Sequence, residues 1–182
     1  MNEKSVILDL GCGNRKRPGS IGIDVNPRTA ADVVHDLNVF PYPFAEDTFD
    51  VVYADNVIEH LAEPVRVMEE LHRITKVNAL VKVIVPYFRS LWAYIDPTHR
   101  HFFTVDSFTY YDPAHKNNQL YNYTMVQFHI ERVVINENIN RGLITGLVKF
   151  IANRWPGQYE LYLSHLYPLD EITYYLRTIK PK

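Results

Sequence analysis

Apolar positions in the first half of the chain gather in short runs broken by turns. Val6-Ile7-Leu8-Asp9-Leu10 is nearly continuous and stops at a glycine turn. A run of this kind suits a strand buried on both faces, as in a parallel sheet. Residues 21–25, 49–54 and 80–85 read the same way, and 32–37 more weakly. Between the fourth and fifth runs the period changes. Leu61, Val65, Met68, Leu71 and His72 recur at helical spacing, with Glu69, Glu70 and Arg73 opposite and Pro64 at a first helical position. Strand, helix and parallel strand predict a right-handed crossover unit. The second half is looser. Its pattern predicts a short helix over 105–111 and a strand over 128–136. An amphipathic helix over 143–151 should end near Trp155-Pro156-Gly157. A shorter helix over 159–166 and a last strand over 171–179, at an antiparallel sheet edge, complete the reading.

Composition narrows this picture. The 182 residues suit one domain. The expected division is 1–86 as a ligand-binding half and 87–182 as cover and edge strands. An apolar fraction of 47% excludes disorder. Nineteen bases against 21 acids argue against nucleic acid as the default partner. The one cysteine, Cys12, excludes an internal disulfide and a cysteine-based zinc cage. No apolar run reaches the ~18–20 residues of a membrane span. Met1-Asn2-Glu3-Lys4 leads into the first run with no secretory pattern, so a cytoplasmic location is expected.

The sharpest chemical signal is Asp9-Leu10-Gly11-Cys12-Gly13-Asn14, followed by Ile21-Gly22-Ile23-Asp24. A strand ending in acid-x-Gly-x-Gly lets backbone approach a ligand closely. An acid closing the next strand can accept hydrogen bonds from both ribose hydroxyls. A dinucleotide would also need a helix N-terminus for its pyrophosphate. Only the seven residues 14–20, with Pro18 and Gly19 among them, separate Gly13 from Ile21, and the third glycine of the dinucleotide pattern is absent. A ligand with adenosine but no phosphate loses little from the missing helix. S-adenosylmethionine is such a ligand.

These motifs resemble those of class I S-adenosylmethionine-dependent methyltransferases, particularly a small, shortened type. The resemblance is strongest at residues 5–25, 36–62 and 96–104. It implies an α/β fold: a Rossmann-like, mostly parallel sheet with antiparallel strands at one edge and three α/β/α layers. The first crossover helix is shortened or missing. It further implies that Asp9, Leu10, Gly11, Cys12 and Gly13 form the cofactor turn and that Asp24, with Val25, binds ribose. Asp36 and Leu37 would lie near the adenine. Asp55, Asn56 and His60 would lie under the methionine part, with Asp9 taking its ammonium group. Arg15, Lys16 and Arg17 stand where the long form of the motif continues, to close over that end or meet an anionic acceptor.

The acceptor side falls to Asp96-Pro97-Thr98-His99-Arg100-His101. Methyl transfer is an in-line displacement, so the protein mostly supplies alignment, and a base only where the acceptor must lose a proton. His99 and His101 alternate in direction if extended, so one of them should face the site beside Asp96. Two histidines and a carboxylate in one loop make a weak metal pattern, and no metal is expected. Tyr87, Phe88, Trp92, Tyr94, Phe102 and Phe103 are candidates to wall the acceptor pocket. The expected activity is methylation at oxygen or nitrogen of a small or medium-sized, or glycan-like, acceptor. Two rivals remain: a non-catalytic S-adenosylmethionine-binding sensor or subunit, and an RNA methyltransferase using Arg15-Lys16-Arg17, Arg89, Arg100 and Arg154. The apolar stretch 142–151 offers a face for a homodimer.

Overall fold

The computed structural model describes residues 5–139 and 142–181, so Met1-Asn2-Glu3-Lys4 lie outside it. Among the described residues, seven strands form one sheet. They are β1 (Ile7–Leu10), β2 (Ile21–Asp24), β3 (Val33–Val34), β4 (Phe49–Asp55), β5 (Thr75–Pro86), β6 (Gln127–Ile135) and β7 (Glu171–Ile179). Their order is β3-β2-β1-β4-β5-β7-β6. All pairs from β3 to β5 are parallel, and β7 runs antiparallel to both its neighbours.

The last strand therefore does not form the edge that its place in the chain suggests. β7 wedges between β5 and β6, and β6 takes the edge. The burial explains the choice. Ile172, Tyr174 and Leu176 of β7 are wholly buried, whereas β6 exposes Glu131 and Arg132. The open side of β6 is capped by side chains. Ile130 N–H donates to Asp112 Oδ2, and Asn153 serves both the N–H and the carbonyl of Ile135. Such capping blunts an edge that would otherwise pair with another chain.

The helices are α1 (Pro64–Ile74), α2 (Trp92–Ile95), α3 (Lys116–Leu120), α4 (Gly142–Arg154) and α5 (Pro156–Gln158). α1 forms as expected, with Pro64 in its first turn, and buries Val67, Met68, Leu71 and Ile74. Thr75 Oγ1 donates to Leu71 O as the helix ends, and β5 starts at once. β5 thus begins earlier than residue 80. Its ladder with β4 slips between Phe49 and Val51, where Val77 and Asn78 bulge into solvent. Residues 105–111 form turns and a 3-10 turn, Thr109–Tyr111, rather than a helix. Residues 159–166 begin as one π-helical turn, Tyr159–Leu163.

The connections β1–β2, β2–β3 and β3–β4 carry no helix. The missing first crossover helix agrees with the sequence reading, but the consequence is wider than expected. Leu8, Val52, Ala54, Val81, Val83, Tyr174 and Leu176 are buried on one side of the sheet. Ile7, Val51, Tyr53, Leu80, Lys82, Tyr175 and Arg177, which alternate with them, are only half-buried. The third layer is thus thin on that side. The parallel strands β1, β2, β4 and β5 end at Leu10, Asp24, Asp55 and Pro86. Ligands of open α/β sheets bind beyond such ends.

Candidate active site

The turn after β1 is shaped by its glycines. Gly11 has φ +64, and a Cβ there would lie 2.5 Å from Val57 Cγ2, so no larger residue fits without displacing the turn after β4. Asp24 holds the turn from the other side. Its Oδ2 accepts from Gly13 N–H and its Oδ1 from Asn26 N–H, each at 2.9 Å. Two clefts meet over this turn. One is lined by Asp24, Val25, Asp36, Leu37, Val57 and His60, the other by Asp9, Cys12, Gly13, Arg15, Arg17 and Asp55. Gly11 and Asn56 line both, making one trough. Of the expected cofactor residues, Leu10 alone lines neither cleft, because its side chain is fully buried in the core. Asp36 Oδ1 accepts from the backbone and side-chain N–H groups of Asn38, which hold its carboxyl below the usual carboxylate range.

The run Arg15-Lys16-Arg17 divides into three roles. Lys16 turns away and pairs with Asp32 at 2.7 Å. Arg15 is exposed and lines the trough. Arg17 lies along the trough, paired with Asp55 and stacked 4.0 Å over the Tyr53 ring. Asp9 Oδ2 accepts from Arg17 N–H at 2.7 Å, while burial pushes the Asp9 carboxyl above its usual range. Arg17 Nε and Asp55 Oδ1 are buried without a hydrogen-bond partner. Unpaired buried donors and acceptors carry a desolvation cost of roughly 1–3 kcal/mol. An orphaned guanidinium nitrogen and an orphaned carboxylate oxygen, side by side, suit the carboxylate and ammonium of an amino-acid moiety.

A separate cavity of about 560 Å³ opens beside the trough. Its walls include Glu59, His60, Pro86, Trp92, Ile95, Asp96, His99 and Asp170, and it shares Asn56 with both clefts. The segment 96–101 is folded back onto the turn after β4. Arg100 N–H donates to Glu59 O at 2.8 Å, and His101 Nε2 bonds Leu61 O at 2.8 Å. His101 is therefore an anchor of this segment, and it does not line the cavity. His99 does, as alternation allowed. Asp96 accepts from Thr98 N–H and from its hydroxyl, and Thr98 Oγ1 in turn contacts His60 Nδ1 at 2.8 Å.

Glu59 is the residue the sequence reading missed. Only 1% of it is exposed, and both carboxylate oxygens lack a hydrogen-bond partner. Burial pushes its carboxyl up to about 7. His99 Nε2 lies 4.0 Å from Glu59 Oε1, and the His60 and His99 rings meet edge-on with centroids 4.6 Å apart. In sequence it is one acid in Val57-Ile58-Glu59-His60-Leu61, the continuation of the fourth run, and carries no signal of its own. Of the candidate aromatics, Trp92 alone lines the cavity, with its indole N–H on Asp170. Tyr87 and Phe103 are core residues joined by a β-bridge, and Tyr94 and Phe102 stack on the surface.

Residues 8–82, which contain the glycine turn, Asp24, Asp36 and the turn after β4, match the family described as a methyltransferase domain. The match makes residues 8–82 a methyltransferase domain, and the fold is the one seen in S-adenosylmethionine-dependent methyltransferases. Comparison with curated proteins finds no match. Among solved structures, a S-adenosylmethionine-dependent methyltransferase from Archaeoglobus fulgidus is similar at 18% identity and TM-score 0.55, over 96% of this chain and 86% of that one. One from Mesorhizobium loti is similar at 14% identity and TM-score 0.59, over 95% and 90%. The [4+2]-cyclase SpnF is similar at 15% identity and TM-score 0.60, over 100% and 78%. At these identities the likeness speaks for the fold. S-adenosylmethionine is the cofactor of the family, and the orphaned polar pair at one end of the trough and the glycine cradle at Gly11 fit it.

Proposed function

We propose that this methyltransferase alkylates an oxygen or nitrogen of a small or medium-sized acceptor held in the cavity between α2 and the 96–101 segment. The observation that carries the reading is the meeting of that cavity with the cofactor trough at Asn56 and His60. The bound cofactor supplies an electrophilic methyl group. In this reading Asp24 receives the ribose hydroxyls, Asp36 lies on the adenine side, and Asp9, Arg17 and Asp55 hold the amino-acid end. Trp92 and Ile95 give the acceptor an apolar wall, while His99 Nε2 and the Glu59 carboxylate are the lone-pair atoms available to an acceptor proton. A cavity of this volume is in the range that encloses a small molecule. Lys16, neutralised by Asp32, is not free to serve an RNA backbone, which favours the small acceptor over the nucleic-acid reading.

The test is transfer of a radiolabelled methyl group from S-adenosylmethionine to pooled metabolites and, separately, to RNA. The expected result is label in a small-molecule fraction, abolished by excess S-adenosylhomocysteine. Label confined to RNA, with a steep salt dependence, would replace this reading with the nucleic-acid one. Cofactor binding with no transfer to either pool would favour the sensor.

A further inference from the structure

We propose that Glu59, His60 and His99 form a binding site for a divalent transition metal ion of zinc type on the wall of the acceptor cavity, and that the ion favours an acceptor bearing oxygen. One donor atom from each of the three residues lies within 4.8 Å of the other two. The hydrogen bonds around them fix which atoms those are. His99 Nδ1 faces the carbonyl of Ala93 at 3.1 Å and must carry the proton there, leaving a lone pair on Nε2. The Thr98 hydroxyl gives its hydrogen to Asp96, so it accepts from His60 Nδ1–H, and His60 likewise keeps its lone pair on Nε2.

The result is a cluster of acceptors with nothing to accept from. Two imidazoles with a free lone pair each and a buried, unpartnered carboxylate offer donor atoms within 4.8 Å of one another. Like partial charges so placed need a cation between them. A proton on Glu59 serves this poorly, because 4.0 Å to His99 Nε2 is beyond hydrogen-bond reach. A metal ion serves it well. Zinc–nitrogen distances of about 2.0–2.1 Å set donors roughly 3.3 Å apart, so the sides of the triangle need to close by up to about 1.5 Å. Histidines that bind metals usually donate their other ring N–H to a carbonyl or a carboxylate-linked group, which fixes ring and tautomer. His99 does so on the Ala93 carbonyl, and His60 is held instead by the Thr98 hydroxyl. Asp96 acts on His60 through Thr98, as such a supporting carboxylate does.

The sequence reading expected no metal because it weighed His99, His101 and Asp96 as the donors. The fold replaces that set. His101 anchors the segment, Asp96 moves to a supporting position, and Glu59 and His60 arrive from the turn after β4. Imidazole donors select zinc, cobalt and related ions over magnesium and calcium. Three protein ligands leave coordination positions that face the cavity, as in sites where an ion meets a substrate oxygen. Glu59 and His99 then act on the acceptor through the ion. This last step rests on the cavity being the acceptor site, whereas the ion site itself rests only on the cluster.

The test begins with metal-stripped protein titrated with Co2+, read by visible absorption, and with Zn2+, read by calorimetry. One ion should bind per chain, with excess Mg2+ failing to compete. Glu59→Gln, His60→Ala and His99→Ala should each weaken binding by at least tenfold; all three should keep the circular dichroism spectrum of wild type, and the Glu59 and His99 variants should also retain S-adenosylhomocysteine affinity, which certifies their fold. Asp24→Ala should lose S-adenosylhomocysteine affinity and keep the metal, so failure of the ion site and failure of the cofactor reading are told apart. Acetohydroxamate, an oxygen chelator, should change the Co2+ spectrum by taking the cavity-facing positions. Protein that binds S-adenosylhomocysteine but takes up no Co2+ or Zn2+ would overturn the proposal. So would binding that survives all three substitutions, which would place the ion on surface histidines.

Discussion

The cofactor trough and the acceptor cavity adjoin at Asn56, yet they are built in opposite ways. The trough takes most of its shape from short stretches of chain. Asp24 binds the backbone of Gly13 and Asn26, Asp36 that of Asn38, and Asp9 that of Arg17. These carboxylates have their backbone partners before any ligand arrives. The cavity is assembled from segments far apart in the chain. Residues 58–60 meet 96–99, and Trp92 reaches Asp170. Its central carboxylate, Glu59, has no hydrogen-bond partner at all. Preorganisation explains the contrast. The ribose and adenine side of the trough satisfies itself with its own backbone, whereas the Arg17–Asp55 end and the acceptor cavity keep groups in reserve for what they bind.

The largest expected effect sharpens that contrast. Glu59→Gln should lower turnover by roughly 10²–10⁴-fold, the usual contribution of a group that handles the acceptor proton, with S-adenosylhomocysteine affinity nearly intact. Steady-state kinetics beside calorimetry would show it. Equal losses in both would move Glu59 into the cofactor frame and erase the distinction. Next comes Gly11→Ala. Its Cβ meets Val57 at 2.5 Å in a backbone conformation with φ +64. Overpacking and left-handed strain together should cost about 2–3 kcal/mol, a roughly 30- to 150-fold loss of cofactor affinity. Normal affinity would mean that the turn yields and is no rigid frame.

The smallest effect concerns the scaffold beneath the trough. Glu70 accepts from Tyr42 N–H and Arg73, and Arg73 donates to the carbonyls of Tyr42 and Phe44. Burial pushes the Glu70 carboxyl up, but Arg73 and the Tyr42 N–H outweigh it and hold the group below its ordinary value. A depressed carboxylate contributes stability that is complete above its unfolded pKa and lost as pH falls through its folded one. Glu70→Gln should therefore cost about 1–2 kcal/mol at neutral pH, and the gap from wild type should close in acid. Thermal melts across pH would show the convergence; a gap that is constant with pH would mean the clamp is not ionic.

The same contrast decides what could be read from sequence. The glycine turn, Asp24 and the first five strands are local patterns, and backbone sterics make such patterns specific. α1 is legible because its apolar stripe needs only one face to bury. The place of β7 is not, since alternation marks a strand without naming its neighbours. The thin third layer follows from three connections without helices, of which the sequence reading weighed one. Glu59 escaped because nothing near it in the chain distinguishes it from a turn residue; its meaning comes from His99, which the fold delivers. His99 and His101 could be reduced to one by alternation, and only the bond from His101 to Leu61 decides which.

The most direct test of two separable sites is calorimetric titration of S-adenosylhomocysteine into wild type, Asp24→Ala and His99→Ala. Asp24→Ala should lose charge-assisted hydrogen bonds worth about 1.5–3 kcal/mol each, and so at least about tenfold in affinity. His99→Ala should bind as wild type does, and none of the three should bind NAD. Wild-type affinity in Asp24→Ala, or a comparable loss in His99→Ala, would contradict the division of the molecule into a cofactor frame and a separate acceptor site.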